Sequence, residues 1–365
     1  MNALRRLPLS RLLLLCGLAV IIGVSLTALA SALDTGPTPP AKPLAQAIHD
    51  ALAAGQVEGV SASIVLSDHL LEGADLATGG HGGALTSSPL VTGASGRLWS
   101  AEDGDFRLEL QSEKGDTQLV YDGRTLSLYD AATNTLYRYT PPAREAGVAS
   151  GETQGDAREV PSVSKIEEAI AHLSRHADVS GATPTDIAGQ PAYTVRVSPD
   201  EGGSLFGGVE LSFDADHGVP LRAALYSSTS STPVIELAAT EVSYGPVPAS
   251  VFELSPPANV KVQEVQLAHR HAGAAKRPGG AERPKLTTSG HGVSSIAVLE
   301  AKAEAGGGGE GEALEGLPKV TIDGASASEL RTELGTLLTF ERSGVRYLLA
   351  GAVAPAPIEA LARGL

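Results

Sequence analysis

Glu168, His172 and His176 follow one another at four-residue spacing, which on a helix would bring three metal-ligating side-chain types to one face. The apolar residues of the same segment, Val163, Ile166, Ile170 and Leu173, form the opposite stripe. The polar trio therefore reads as a solvated helix face rather than a metal centre. His269 and His271 lie in a hydrophilic stretch without a fourth ligand, so no metal is expected there either. Acyl-transfer and zinc-hydrolase chemistry would need a G-x-S-x-G elbow or an H-E-x-x-H helix, and the chain has neither. Gly306 to Gly309 precede Glu310, not the lysine and hydroxyl that complete a phosphate loop. No carboxylate pair stands out as an acid and base. The expectation is a noncatalytic protein without a cofactor.

Cys16 is the sole cysteine. A lipidated cysteine normally ends its apolar run, whereas here the run continues well past Cys16, so the residue reads as part of a membrane helix. The remainder of the chain then has neither a disulfide nor a thiol nucleophile. Around Cys16, Arg5, Arg6 and Arg11 form a basic head, and residues 12–30 are an apolar stretch of about 19 residues, long enough to span a bilayer. Ala28-Leu29-Ala30 and Ala30-Ser31-Ala32 both fit a cleavage rule of small residues. Residues 1–33 are a signal peptide or an N-terminal membrane anchor, and in both cases the body lies outside the cytoplasm. The protein is then either anchored by residues 12–30 or secreted after cleavage near Ala30 or Ala32. Net charge is −15, and the 27 basic residues form no dense patch, which argues against a nucleic-acid partner.

Residues 34–42 read as a proline-rich spacer. Residues 43–55 read as a helix with Leu44, Ala47, Ile48, Ala51 and Leu52 on one face. Residues 57–68 alternate as a strand, and 72–94 read as a glycine-rich loop. Between 95 and 140, short alternating segments are separated by Asp122-Gly123 and by residues 131–134, the pattern of an antiparallel meander. A mobile connection at 141–160, a helix at 162–177, and strands at 191–198, 209–216, 220–228 and 234–245 follow. Phe252 belongs to a closing extended segment. Residues 265–290 read as a linker and 304–315 as a Gly/Glu-rich loop. In the small C-terminal α/β module at 291–365, the segment Ser326 to Gly335 reads as a short helix. Two further strands, a hairpin and a terminal helix complete it. The fold class is mainly β (α+β): a curved antiparallel half-barrel sheet covered by helices, with the small module standing alone or adding its hairpin to that sheet.

Several segments in this order carry a resemblance: Val60-Ser-Ala-Ser-Ile64, Gly96-Arg-Leu-Trp99, Asp105-Phe-Arg-Leu-Glu-Leu110, and above all residues 119–130, LVYDGRTLSLYD. Ile187-Ala-Gly-Gln-Pro-Ala-Tyr193, Gly218-Val-Pro-Leu-Arg222 and residues 247–257 continue it. Residues 45–262 thus resemble the bacterial lipoprotein-carrier (LolA-like) family and the related sensor domain of the RseB/MucB-like regulators. The Ala/Gly-rich composition is similar to that of an actinobacterial member. The resemblance implies a 43–264 domain whose sheet encloses a lipid or lipoprotein acyl chain on an apolar concave face. Its candidate lining residues are Ile64, Leu66, Leu98, Phe106, Leu108, Leu119, Tyr121 and Leu128 in the first half. Tyr193, Val195, Leu211, Phe213 and Leu225 belong to the second, and ordinary sheet core is the alternative for each. Arg97 and Arg107 read as surface or rim residues, and Trp99 as an anchor between sheet and helix. The competing roles are a sensory protein that binds a membrane-protein partner and a structural cell-envelope protein. Membrane association is expected in each case.

Overall fold

A computed structural model describes residues 36–55, 57–71, 93–112, 115–141, 160–265, 285–302 and 317–365. The N-terminal span, most of the 72–94 loop and 141–160 connection, His269, His271 and the Gly/Glu run lie outside these residues. Among the described residues, no helix is long and apolar enough to cross a membrane.

Helix α1 (Leu44–Ala53) precedes a meander of β1 (Gly59–Asp68), β2 (Ala94–Ala101), β3 (Phe106–Ser112), β4 (Gly115–Tyr121), β5 (Leu126–Asp130) and β6 (Thr135–Tyr139). Helix α2 (Val163–Leu173) leads to β7 (Ala177–Val179), β8 (Thr183–Ile187), β9 (Gln190–Pro199), β10 (Phe206–Asp214), β11 (Pro220–Ser227) and β12 (Pro233–Tyr244). A 3-10 turn at Ala249–Phe252 and β13 (Lys261–Glu264) close this part. The turns follow their side chains. Asp122 Oδ1 accepts the Arg124 and Thr125 amides (3.0 and 2.7 Å), so an aspartate closes the β4–β5 hairpin.

The resulting sheet is curved and unclosed, ordered β13-β6-β5-β4-β3-β2-β1-β12-β11-β10-β9-β7, with β8 paired to β9 off this path. Two meanders are thus joined at the centre by β1 and β12, antiparallel from Val60↔Tyr244 to Asp68↔Ile235. Curvature has a local cause in β2. A Cβ on Gly96 would lie 1.8 Å from the Glu109 carbonyl, so only glycine lets β2 approach β3 so closely. The mainly β class and the curved antiparallel sheet are as expected, with one exception: β13 joins β6 in parallel at the edge.

The second sheet is ordered β14 (Lys285–Ser289), β15 (Ile296–Lys302), β19 (Val345–Gly351), β18 (Gly335–Arg342), β17 (Ala325–Thr332) and β16 (Lys319–Ile322). Helix α3 (Pro355–Arg363) packs on it through buried Ile358 and Ala362. Hence the hairpin joins a separate sheet rather than the large one. The segment expected as a helix at Ser326 to Gly335 is instead β17 and its turn. Pairing on both sides, with β16 and β18, overrides the local helical composition. Likewise β14 lies inside the expected linker. Its side chains are all exposed, so its place in the sheet rests on backbone pairing to β15, which leaves no apolar signal.

The two sheets meet at the β9–β10 loop. The buried Ser204 hydroxyl donates to Ala352 O (2.9 Å) and Val293 O (3.4 Å), and the Leu205 amide donates to Ala352 O (2.7 Å). A second link runs from the Glu333 amide to Leu70 O (3.2 Å).

Candidate functional site

Directly opposed residues of paired strands share a face. The register therefore converts the candidate lining residues into rows. Leu98, Leu108, Leu119 and Leu128 are successive partners across β2 to β5, and Tyr137 extends the row onto β6. Phe106 and Tyr121 form a parallel row one step along, which continues through Leu126 to Tyr139 on β6. Ala62 carries the leucine row onto β1, where Ile64 and Leu66 follow it on the same face. Across β12 to β9, Leu66 faces Leu237, then Ala223, Leu211 and Val195, while Ile235, Leu225, Val209 and Val197 run alongside.

All thirteen candidates thus stand on one face of one sheet, although their exposures differ. Ile64, Tyr193 and Phe213 are buried. The other β1–β5 members, with Val195 and Leu225, are half-buried. Leu211 is 45% exposed, and its neighbours Val209 and Leu237 are 38% and 37% exposed. No described element covers this stretch as α3 covers the small sheet.

One end of the face is closed by α1. Tyr193 and Phe213 lie 5.9 Å apart between ring centroids and pack with Ala47, Ala182, Leu44 and Ala51. The Tyr193 hydroxyl donates to Pro40 O (2.7 Å), which ties the segment before α1 to the sheet. The other tie is the β10–β11 turn. Asp214 is fully buried and accepts from the Asp216 and His217 amides (2.8 and 2.7 Å) and from the Tyr244 hydroxyl (2.6 Å). Burial alone would raise the Asp214 carboxyl, but these bonds outweigh it and hold it below its ordinary value. Burial first, then the hydrogen bond to Asp214 and its charge, push the Tyr244 hydroxyl far up, so it remains a donor. The His217 ring stacks on Tyr244 at 3.9 Å. At Gly218 (φ +69°) a Cβ would lie 2.2 Å from Ala51 O, so the turn and α1 touch backbone to backbone.

The helices cover less than their patterns promised. Leu52 on α1 and Leu173 on α2 are exposed, and α2 buries only Ile166. Helix α2 also ends at Leu173, short of the expected 177, because Ala177 already pairs with Pro199 in β7.

The reverse face carries polar networks. Arg222 bonds Glu210, Glu236 and the Tyr226 hydroxyl, and the Arg196 guanidinium lies 4.1 Å from the Tyr226 ring centroid. Arg107 is no free rim residue: it pairs with Glu109 and donates to Val251 O (2.8 Å) and Glu253 O (3.2 Å), fastening the 3-10 turn over β3. Sequence reasoning missed this role because its partners are carbonyls far along the chain. Trp99 also stands on this reverse face, opposite Ser61 and Arg107. It cannot anchor α1 to the sheet, since α1 lies on the other side. Glu168, His172 and His176 are exposed, with the two imidazoles 6.4 Å apart, and among the described residues no three acidic, histidine or cysteine side chains form a metal cluster.

No protein-family model and no curated protein matches the chain. Solved structures do. The Pseudomonas aeruginosa MucA/MucB complex matches at 17% identity and TM-score 0.41, over 87% of this chain and 96% of that one. An uncharacterised conserved protein from Thermus thermophilus matches at 11% identity and TM-score 0.35, over 60% and 99%. A LolA-superfamily protein from Nitrosomonas europaea matches at 9% identity and TM-score 0.19, over 85% and 91%. Of these three structures, one carries the name MucB and one the name LolA.

Proposed function

We propose that this chain is a noncatalytic extracytoplasmic protein that binds a lipid or lipoprotein acyl chain along the apolar face of its large sheet, for transport or presentation. The observation that carries the reading is the apolar row, most of whose residues stay half-buried or exposed among the described residues. From β10 to β5 it crosses eight neighbouring strands, roughly 34 Å at the usual interstrand spacing of about 4.8 Å. Each methylene fully removed from water contributes about 0.8 kcal/mol, so burial of a long chain along this face supplies affinity from apolar contact, less the cost of ordering it. Residues 43–264 form the binding domain in this reading, and residues 291–365 a separate module. Residues 1–33 deliver the body across the membrane, and either stay as an anchor at residues 12–30 or are cleaved near Ala30 or Ala32.

A second reading rests on the Ser204 junction. A loop of the large sheet is bonded directly to the small sheet, so an occupant on one could be sensed through the other. That arrangement suits a regulator that binds a membrane protein.

Native mass spectrometry of the full chain, extracted gently from its own membranes, tests the choice when combined with organic extraction of any bound mass. Stoichiometric lipid or lipopeptide supports the carrier. An apoprotein that takes up no added membrane lipid excludes it and leaves the partner-binding reading.

A further inference from the structure

We propose that the face opposite the apolar row carries a saccharide-binding groove, built from β1, β2 and β12 around Trp99. Trp99 is the only tryptophan of the chain. Its direct partner on β1 is Ser61, and Ser61 faces Ser243 on β12. Two such small side chains beside an indole leave an open groove of about 410 Å³. The next row places Glu241, Ser63 and Arg97 side by side. Ser63 Oγ donates to Glu241 Oε2 (3.2 Å), while the exposed Arg97 guanidinium has no hydrogen bond or ion pair among the described residues.

The chemistry of this set selects its ligand. Arg97 offers only donors, Glu241 only acceptors, and the serines both. Neighbouring hydroxyls of a sugar ring satisfy a donor and an acceptor together, and the ring's C–H face lies well on an indole. A phosphate or sulfate would gain Arg97 but be opposed by Glu241. An alkyl chain would strip water from both charges without replacing their hydrogen bonds. The contrast with Arg222 is informative: that arginine is consumed by Glu210, Glu236 and Tyr226. Among the described residues Arg97 is left without such partners, beside a carboxylate already held by Ser63. The groove is also independent of the apolar row. Trp99 and Leu98 point to opposite sides of one strand, so each face fills without the other.

The single tryptophan reports directly on this groove. The full chain, held in a sugar-free amphipol, is titrated with two probes: a tetramer of N-acetylglucosamine and maltotetraose. Emission of Trp99 and calorimetric heat are followed together. A saturable shift with matching heat is expected for at least one probe. Glu241→Ala, which alters an exposed side chain, and Ser61→Leu, which fills the groove, each weaken it at least about tenfold. Leu211→Ser, on the other face, leaves it unchanged. No shift and no heat from either probe up to about 10 mM, past the millimolar range of weak binding, overturns the proposal. So does binding that survives either groove substitution.

Discussion

The two sheets use the same alternation for opposite ends. In the small sheet, Leu338, Leu349 and Val298 are successive cross-strand partners, as Leu98, Leu108 and Leu119 are in the large one. The small-sheet row is closed. Helix α3 lays Ile358 and Ala362 on it, Leu338 and Leu349 are fully buried, and Phe340 stacks on Tyr347 at 5.0 Å. Buried Glu329 ends that row and is held by Arg331. Among the described residues the large-sheet row is closed by α1 at one end; beyond it Ile64 is buried and the other candidates stay half-buried or exposed. Alternation therefore states which face is apolar. Whether that face becomes a core or a binding surface depends on what is laid over it.

The largest effect follows from that contrast. Leu338→Ala opens a cavity in a filled core and is expected to cost about 2–5 kcal/mol, because the surroundings relax only in part. Leu119→Ala, on a half-exposed leucine, leaves no closed cavity and should cost far less. Urea unfolding of the full chain measures both, with hydrogen exchange assigning each loss to its own sheet. Equal costs would mean that the large-sheet row is a closed core, and the distinction between the sheets would be lost.

Next in size is the tie at the closed end. Tyr244→Phe removes a hydrogen bond to an ionised, fully buried carboxylate and should cost about 1.5–3 kcal/mol. Its pH dependence has a definite sign. The Asp214 carboxyl is held below its ordinary value in the folded state. Its stabilising contribution is therefore complete above the ordinary carboxylate range and is lost as pH falls through the depressed folded value. Removing the Tyr244 donor shrinks that depression. Urea midpoints recorded from neutral pH down into the acid range should accordingly fall less steeply in Tyr244→Phe than in the parent chain.

These ties also mark what the sequence could not reveal. Strand positions from β1 to β6 and β9 to β12 were legible because alternation and turn residues such as Asp122-Gly123 are local signals. Within each meander the shared face of the candidates follows from hairpin turns, but the two halves share it only through the long-range pairing of β1 with β12. The Asp214–Tyr244 bond spans 30 residues and the Arg107 bonds to Val251 and Glu253 span 144 and 146. No local pattern encodes such partners. Strand β17 was misread because Ser326 to Gly335 has a helical composition, and only its two neighbours decide its state. Trp99 was read as an anchor between sheet and helix, although its place one residue from Leu98 already set it apart from the leucine row that faces α1.

A smaller loss is expected from Tyr193→Phe. It keeps the ring beside Phe213 and removes only the bond to Pro40 O, worth about 0.5–1.5 kcal/mol. The α1 end should then exchange amide hydrogen faster while the small sheet stays protected. Unchanged exchange at α1 would show that ring burial, not the hydroxyl, holds the segment before the helix.

Leu211→Ser should have the smallest effect on folding and the most specific effect on binding. A side chain already 45% exposed contributes little to the folded state, and surface changes of this kind stay within about 0.5 kcal/mol. An acyl chain lying along the row, however, would lose a contact on β10 and meet a hydroxyl in its place. Displacement of a dansylated fatty acid should weaken in Leu211→Ser and not in Leu52→Ser, whose parent leucine is exposed on α1. If both variants bind like the parent while unfolding normally, the open row is not where the chain lies. If Leu211→Ser instead unfolds as readily as Leu338→Ala, the face is covered in solution and belongs with the closed core of the small sheet.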